Sequence, residues 1–136
     1  MTKRRLAFVH GFTQTARSWE PVASAFRADC EVVTLDAPGH GSWADRRLDL
    51  VDGAAALAEA AGRAVWIGYS MGGRFALHVA LDHPDVVEAL VLVSATPGIV
   101  DPAERARRRA EDEQRARTLE EIGVDAFVDR WLALPM

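Results

Sequence analysis

The sequence predicts an α/β fold: a parallel sheet with helices on both faces, followed by helices of a different kind. Three observations carry that reading. Four short runs, at residues 6–9, 31–35, 64–67 and 89–93, are mostly apolar without strict alternation, which suits strands covered on both faces. Helical patterns separate them, so strands and helices alternate along the chain. The third run leads straight into Gly68-Tyr69-Ser70-Met71-Gly72, which opens a helical pattern. Right-handed crossovers then place the third strand beside the first and the second on its other side. The expected strand order is second, first, third, fourth.

Each element has its own signal. Leu6-Ala7-Phe8-Val9 is an apolar run ended by His10-Gly11. Residues 18–27 carry Trp19, Val22, Ala23 and Phe26 at helical spacing, with Ser18 as N-cap and Pro21 in the first turn. Residues 31–35 are rich in β-branched side chains, and Asp36-Ala37-Pro38-Gly39-His40-Gly41 follows as a loop. An alanine-rich helix over 48–61 closes at Gly62. A helix over 71–81 stops before Pro84. After the fourth strand the character changes. Residues 101–117 form a charged helix with only alanines on its apolar side. Residues 119–134 return to an amphipathic pattern through Leu119, Ile122, Phe127, Trp131 and Leu134.

Bulk properties narrow the function classes. The length of 136 residues predicts one domain. A hydrophobic fraction of 49% is enough to fill a core. The formal charge of −4 argues against nucleic acid or an anionic membrane as partner. The single cysteine, Cys30, forms no internal disulfide and reads as a small buried side chain. Lys3, Arg4 and Arg5 precede an apolar stretch far too short for a signal sequence. A cytoplasmic protein without cofactor or metal is the expectation, and oligomeric state is left open.

The chemistry gathers at Ser70. About one chain in 25 of this length carries G-x-S-x-G by chance, so context decides. Here the motif sits between a strand and a helix, the setting a nucleophile elbow requires. The alternative is a glycine-rich turn with a capping serine. In an elbow the serine backbone is strained, and side chains at the glycine positions clash with the neighbouring turn. The Met71 N–H then lies at a helix N-terminus, where it donates to an oxyanion. A second donor is expected from the loop after the first strand, His10-Gly11-Phe12, through the Phe12 N–H. His10 itself reads as a structural histidine, hydrogen-bonded to backbone.

Taken in chain order, His10-Gly11-Phe12, Asp36-Ala37-Pro38-Gly39-His40-Gly41 and Gly68-Tyr69-Ser70-Met71-Gly72-Gly73 resemble the N-terminal half of an α/β-hydrolase. On that basis residues 1–98 are the N-terminal part of the core and 99–136 the start of a helical cap. A narrower resemblance rests on HGFTQTARSWEP, DAPGHG, GYSMGGRFALHVAL and SATPGI followed by DPAERARRRAEDE. These stretches are similar to the 2-succinyl-6-hydroxy-2,4-cyclohexadiene-1-carboxylate synthases of menaquinone biosynthesis. The resemblance implies a lyase that eliminates pyruvate from an enolpyruvyl ether bearing several carboxylates. It also implies a Ser-Asp-His triad in which the serine acts as a base. Carried over, Tyr69, Arg74 and Arg108 bind the small anionic substrate. Arginine suits that task, because its rigid fork meets a carboxylate with two hydrogen bonds. Each has a plainer alternative: Tyr69 as packing, Arg74 as a surface residue one helical turn past the serine, Arg108 as one solvated member of a cluster with Arg105, Arg107 and Arg109. Trp19 and Trp43 read as walls or core.

The pattern then runs out. In the α/β-hydrolase order the acid and the histidine follow the serine. After Ser70 come only His78, about two turns along the same helix, and His83 at its far end. His40 stands on the correct edge of the sheet but not in the position of the family's base. The expectation is therefore the N-terminal portion of a longer enzyme, with the triad Asp and His absent and the fourth strand's outer edge open. Two further readings stay open: a carboxylic-ester hydrolase of the same fold, and a catalytically incomplete module.

Overall fold

The computed structural model describes residues 2–135, which form two compact units divided between Pro97 and Gly98. In the first unit β1 (Arg5–Val9) is followed by a 3-10 turn, the short α1 (Glu20–Ala23) and a second 3-10 turn. Then come β2 (Glu31–Leu35), a 3-10 turn at Gly41–Trp43, α2 (Leu50–Ala61), β3 (Ala64–Tyr69), α3 (Met71–Asp82) and β4 (Val87–Val93). All pairings are parallel and the sheet order is β2-β1-β3-β4, as expected from the crossovers.

Alternation along β1 splits the core between the two faces. Ala7 and Val9 join a cluster with Leu57, Trp66, Phe75 and Val79, which α2 and α3 cover. Leu6 and Phe8 point the other way, to Ala23 and Trp19, with the Phe8 and Trp19 rings 5.0 Å apart. Trp66 is fully buried, and its indole N–H donates to the Val86 carbonyl at 3.0 Å. Trp43 packs against the first cluster and half-buried Cys30 against the second.

Helix ends follow the capping rules. The Asp49 carboxylate accepts from the Asp52 N–H at 2.8 Å, and α2 stops at Gly62 in the left-handed region, φ 65°. The first helix differs from expectation. The stretch 18–27 breaks into a 3-10 turn at Ala16–Trp19, four α-helical residues and a 3-10 turn at Ser24–Phe26. Pro21 supplies no N–H to extend an earlier turn, and Thr15 rather than Ser18 precedes the first turn. On the outer edge of the sheet β4 pairs with β3, and its Val91, Leu92 and Val93 are exposed.

The second unit holds α4 (Pro102–Ile122) and α5 (Val124–Leu132). Asp101 caps α4 by accepting the Glu104 N–H at 2.8 Å, with Pro102 in the first turn. The break between the helices falls at Gly123, φ 81°, and not near Thr118 as the change of pattern suggested. Thr118 is helical, and its hydroxyl donates to the Gln114 carbonyl one turn back at 3.0 Å. Phe127 is buried and stacks on Trp131, whose ring also meets the Arg115 guanidinium. Among the described residues no helix is long and apolar enough to cross a membrane.

Candidate active site

Ser70 sits at the β3–α3 junction with φ 52° and ψ −116°, a conformation that a non-glycine residue adopts at a cost of about 1–3 kcal/mol. Two backbone bonds hold it there: its N–H donates to the Val93 carbonyl at 2.9 Å, and its own carbonyl accepts the Arg74 N–H at 3.2 Å. The glycines around it are steric necessities. A Cβ on Gly68 would strike the Gly72 carbonyl oxygen and come within 2.5 Å of the Gly73 Cα. A Cβ on Gly72 would overlap the carbonyl oxygens of Val9 and His10. The start of α3 therefore lies directly against the end of β1, which brings the loop after β1 beside the serine. Gly11 is needed for the same reason, because a Cβ there would sit 2.8 Å from the Tyr69 ring.

The loop after β1 is fixed from several sides. The Gly11 N–H donates to the Gln14 side-chain carbonyl at 2.9 Å, and the Gln14 N–H returns to the Gly11 carbonyl at 3.2 Å. Thr13 adopts a left-handed φ of 65°. Fully buried His10 lies 2.8 Å through Nδ1 from the Gly11 carbonyl and accepts the Ala37 N–H on Nε2 at 3.0 Å. Burial, first of all, and neighbouring His40 hold its pKa below the ordinary 6.5, against the raising pull of the Gly11 carbonyl and Asp36. His40 lies 3.0 Å through Nδ1 from the Pro38 carbonyl and accepts the Thr13 N–H on Nε2 at 3.2 Å.

Asp36 ties the loops after β1 and β2 together. Its carboxylate accepts the Ala16 N–H at 2.8 Å, the Ser42 N–H at 2.9 Å and the Ser42 hydroxyl at 2.7 Å. Burial alone would raise its pKa. The three hydrogen bonds, with His10 nearby, outweigh burial and hold it below the ordinary carboxylate value. Gly41 has φ 53°, and a Cβ there would collide with this carboxylate. Sequence reading treated Asp36 to Gly41 as a loop and missed the Asp36 hub. Its signal was an aspartate six residues before a serine, with two glycines between. Ser94 was missed too: it takes a left-handed φ of 52° just past β4, whose Val93 carbonyl holds Ser70.

The candidate residues divide into two groups. Ser70, Met71 at the first position of α3, Phe12 in the β1 loop and Tyr69 at the end of β3 all stand at the strand ends around the elbow. Arg74 stands one turn into α3, exposed, and among the described residues its side chain forms no ion pair or hydrogen bond. Arg108 belongs to the second unit and pairs with Asp112 one turn on, its Nε 3.0 Å from both carboxylate oxygens. The histidines are all accounted for away from Ser70. His10 and His40 bond backbone through both nitrogens, His78 lies 3.4 Å from Asp82, and His83 ends α3. Among the described residues the Ser70 hydroxyl forms no hydrogen bond, and no group of three His, Cys, Asp or Glu side chains is placed to hold a metal ion.

Comparison with known proteins agrees with this geometry. Residues 6–135 match the Alpha/beta hydrolase family. A putative 2-succinyl-6-hydroxy-2,4-cyclohexadiene-1-carboxylate synthase of Bacillus subtilis is 34% identical over 94% of this chain and 50% of its own length. A pimeloyl-[acyl-carrier protein] methyl ester esterase of Vibrio atlanticus is 39% identical, over 68% of this chain and 36% of its own. The solved structure of MenH from S. aureus superposes with a TM-score of 0.86 at 33% identity, covering 99% of this chain and 54% of that one. The chain thus spans about half the length of the synthase relatives it matches. An elbow serine on a parallel sheet, in this strand order and with these relatives, places the chain in the α/β-hydrolase family.

Proposed function

We propose that this chain carries the serine and oxyanion half of a lyase of menaquinone biosynthesis, which eliminates pyruvate from an enolpyruvyl ether bearing several carboxylates. The observation that carries the reading is the extent of the likeness. Similarity to the synthase runs over 94% of the chain, whereas similarity to the methyl ester esterase runs over 68%. In this reading the Ser70 oxygen removes a proton from substrate carbon. The electron pair moves to form a double bond, the carbon–oxygen bond to the enolpyruvyl group breaks, and pyruvate leaves as its enolate. The N–H groups of Phe12 and Met71 stabilise negative charge that builds on oxygen. Arg74, unpaired and exposed, takes a substrate carboxylate, and Tyr69 lines the approach over Gly11. Arg108 takes a second carboxylate by exchanging Asp112 for it. Residues 99–136 are taken as the start of a helical cap. The proton acceptor for Ser70 is assigned to polypeptide outside these residues, because among the described residues the Ser70 hydroxyl bonds no histidine, and both ring nitrogens of His10 and of His40 are taken by backbone.

A second reading is a carboxylic-ester hydrolase, favoured by the higher identity to the esterase within the stretch that matches it. The same elbow would then form an acyl-enzyme. The discriminating experiment uses the full-length polypeptide that contains this segment. Pyruvate release from the enolpyruvyl ether, with little cleavage of a p-nitrophenyl ester, supports the lyase. Ester cleavage without pyruvate release overturns it in favour of the hydrolase.

A further inference from the structure

Two histidines take no part in the chemistry proposed above, yet both bond the loop that carries Phe12, His10 from within it and His40 from the loop after β2. A carbonyl oxygen only accepts, so His10 Nδ1, 2.8 Å from the Gly11 carbonyl, bears the ring proton. A backbone N–H only donates, so His10 Nε2, which receives the Ala37 N–H at 3.0 Å, is bare. His10 is therefore neutral and held in one tautomer. His40 repeats the arrangement, with Nδ1 on the Pro38 carbonyl at 3.0 Å and Nε2 receiving the Thr13 N–H at 3.2 Å. The two rings meet edge to face, 5.2 Å between centroids.

The geometry of the peptide group gives these bonds a consequence. The Gly11 carbonyl and the Phe12 N–H are opposite ends of one planar, trans peptide unit. Fixing the direction of the carbonyl fixes the direction of the N–H. A hydrogen bond to the carbonyl also polarises the amide and strengthens its N–H as a donor. On the other side of Phe12, the next N–H is Thr13's, which His40 holds while Thr13 keeps its left-handed φ of 65°. Phe12 thus lies between two peptide groups, each secured by a different histidine.

We propose that His10 and His40 are positioning residues, a pair of fixed-tautomer clamps that aim the Phe12 N–H at the oxygen where charge develops. Neither exchanges a proton with Ser70 or the substrate. The inference rests on Phe12 serving as an oxyanion donor, and it holds for a lyase and for an ester hydrolase alike.

Two variants of the full-length polypeptide separate the bonds. In His10→Asn the side-chain NH₂ stands near the Nδ1 position and still donates to the Gly11 carbonyl. In His10→Gln the amide reaches the Nε2 position, accepts the Ala37 N–H, and leaves the Gly11 carbonyl without that donor. Removing a whole oxyanion donor costs about 10²–10³ in kcat, so misaiming one should cost about 10-fold or more. The expected result is a fall of that size in kcat for His10→Gln, with KM little changed, and most activity retained by His10→Asn. A role confined to packing would lower both variants together, in step with their thermal midpoints. Equal kcat values for the two, or a loss confined to KM, would overturn the proposal. Nitrogen-15 NMR of the unaltered protein is the second arm, and should find Nδ1 protonated and Nε2 bare on both rings. The opposite tautomer would overturn the clamp even where the glutamine variant does not fold. If pyruvate is not released but the same contrast appears with a p-nitrophenyl ester, the lyase reading fails and the clamp stands.

Discussion

The loops around Ser70 and the arginine-rich face of α4 are two ways of placing functional groups. Around Ser70 position is imposed by sterics and buried hydrogen bonds: glycines with no room for a Cβ, a strained serine, and His10 with no exposed surface. On α4 no residue is buried, and among the described residues Arg108 pairs only with Asp112, one turn away and as exposed as itself. The first arrangement is rigid before substrate arrives, which is what transition-state stabilisation needs. The second is solvated and adaptable, and an exposed ion pair of this kind is worth only a few tenths of a kcal/mol. Under the proposed function, chemistry therefore falls to the fixed region.

Substitutions at the two regions should differ accordingly. The largest effect belongs to Gly72→Ala. Its new Cβ meets backbone oxygens of Val9 and His10, which have no rotamer to change. It should lose about 3 kcal/mol, roughly 10 °C in Tm. A urea midpoint close to that of the unaltered protein would mean the elbow is not braced against β1.

Asp36→Asn comes next, at about 2 kcal/mol, because it weakens the hydrogen bonds from Ala16 and Ser42 to a charged acceptor. The pH dependence has a definite sign. The folded pKa lies below the ordinary value of 3.8, so the contribution is complete above that value. It is lost as pH falls through the folded pKa. The stability gap between the protein and Asp36→Asn should therefore be constant at neutral pH and close only below about pH 4. A gap that widens on acidification contradicts the hub.

Arg74→Ala should leave stability unchanged, since the side chain is exposed and unpaired among the described residues. In the full-length polypeptide it should lower use of an anionic substrate about 10-fold and spare a neutral ester. Equal losses on both substrates would make Arg74 structural. The smallest effect is that of Arg108→Ala on stability, within about 0.5 kcal/mol by urea unfolding. A larger loss would show that α4 depends on its ion pairs more than their exposure allows.

Much of this was legible in the sequence. The sheet order followed from continuous apolar strands joined by right-handed crossovers, and the elbow from a G-x-S-x-G stretch standing between a strand and a helix. The first helix was not, because helical periodicity at Trp19, Val22, Ala23 and Phe26 does not show that the chain tightens into 3-10 turns around Pro21. The α4–α5 break was misplaced because polarity changes near Thr118 while the backbone turns at Gly123. A backbone-bonded His10 was expected, but its partner Ala37, and Thr13 as partner of His40, were not legible, since each bond joins residues 27 apart that only the sheet brings together.

The proposed reading turns on Ser70 as the reacting group, with none of the four histidines of this chain as its base. The most direct measurement is pyruvate release by the full-length polypeptide and by this chain alone, each with Ser70 and with Ser70→Ala. The account predicts turnover by the full-length polypeptide, a fall of about 10³-fold or more on Ser70→Ala, and near-inactivity of the chain alone. Comparable turnover by the chain alone, abolished by Ser70→Ala, would contradict it and place the base among His10, His40, His78 and His83.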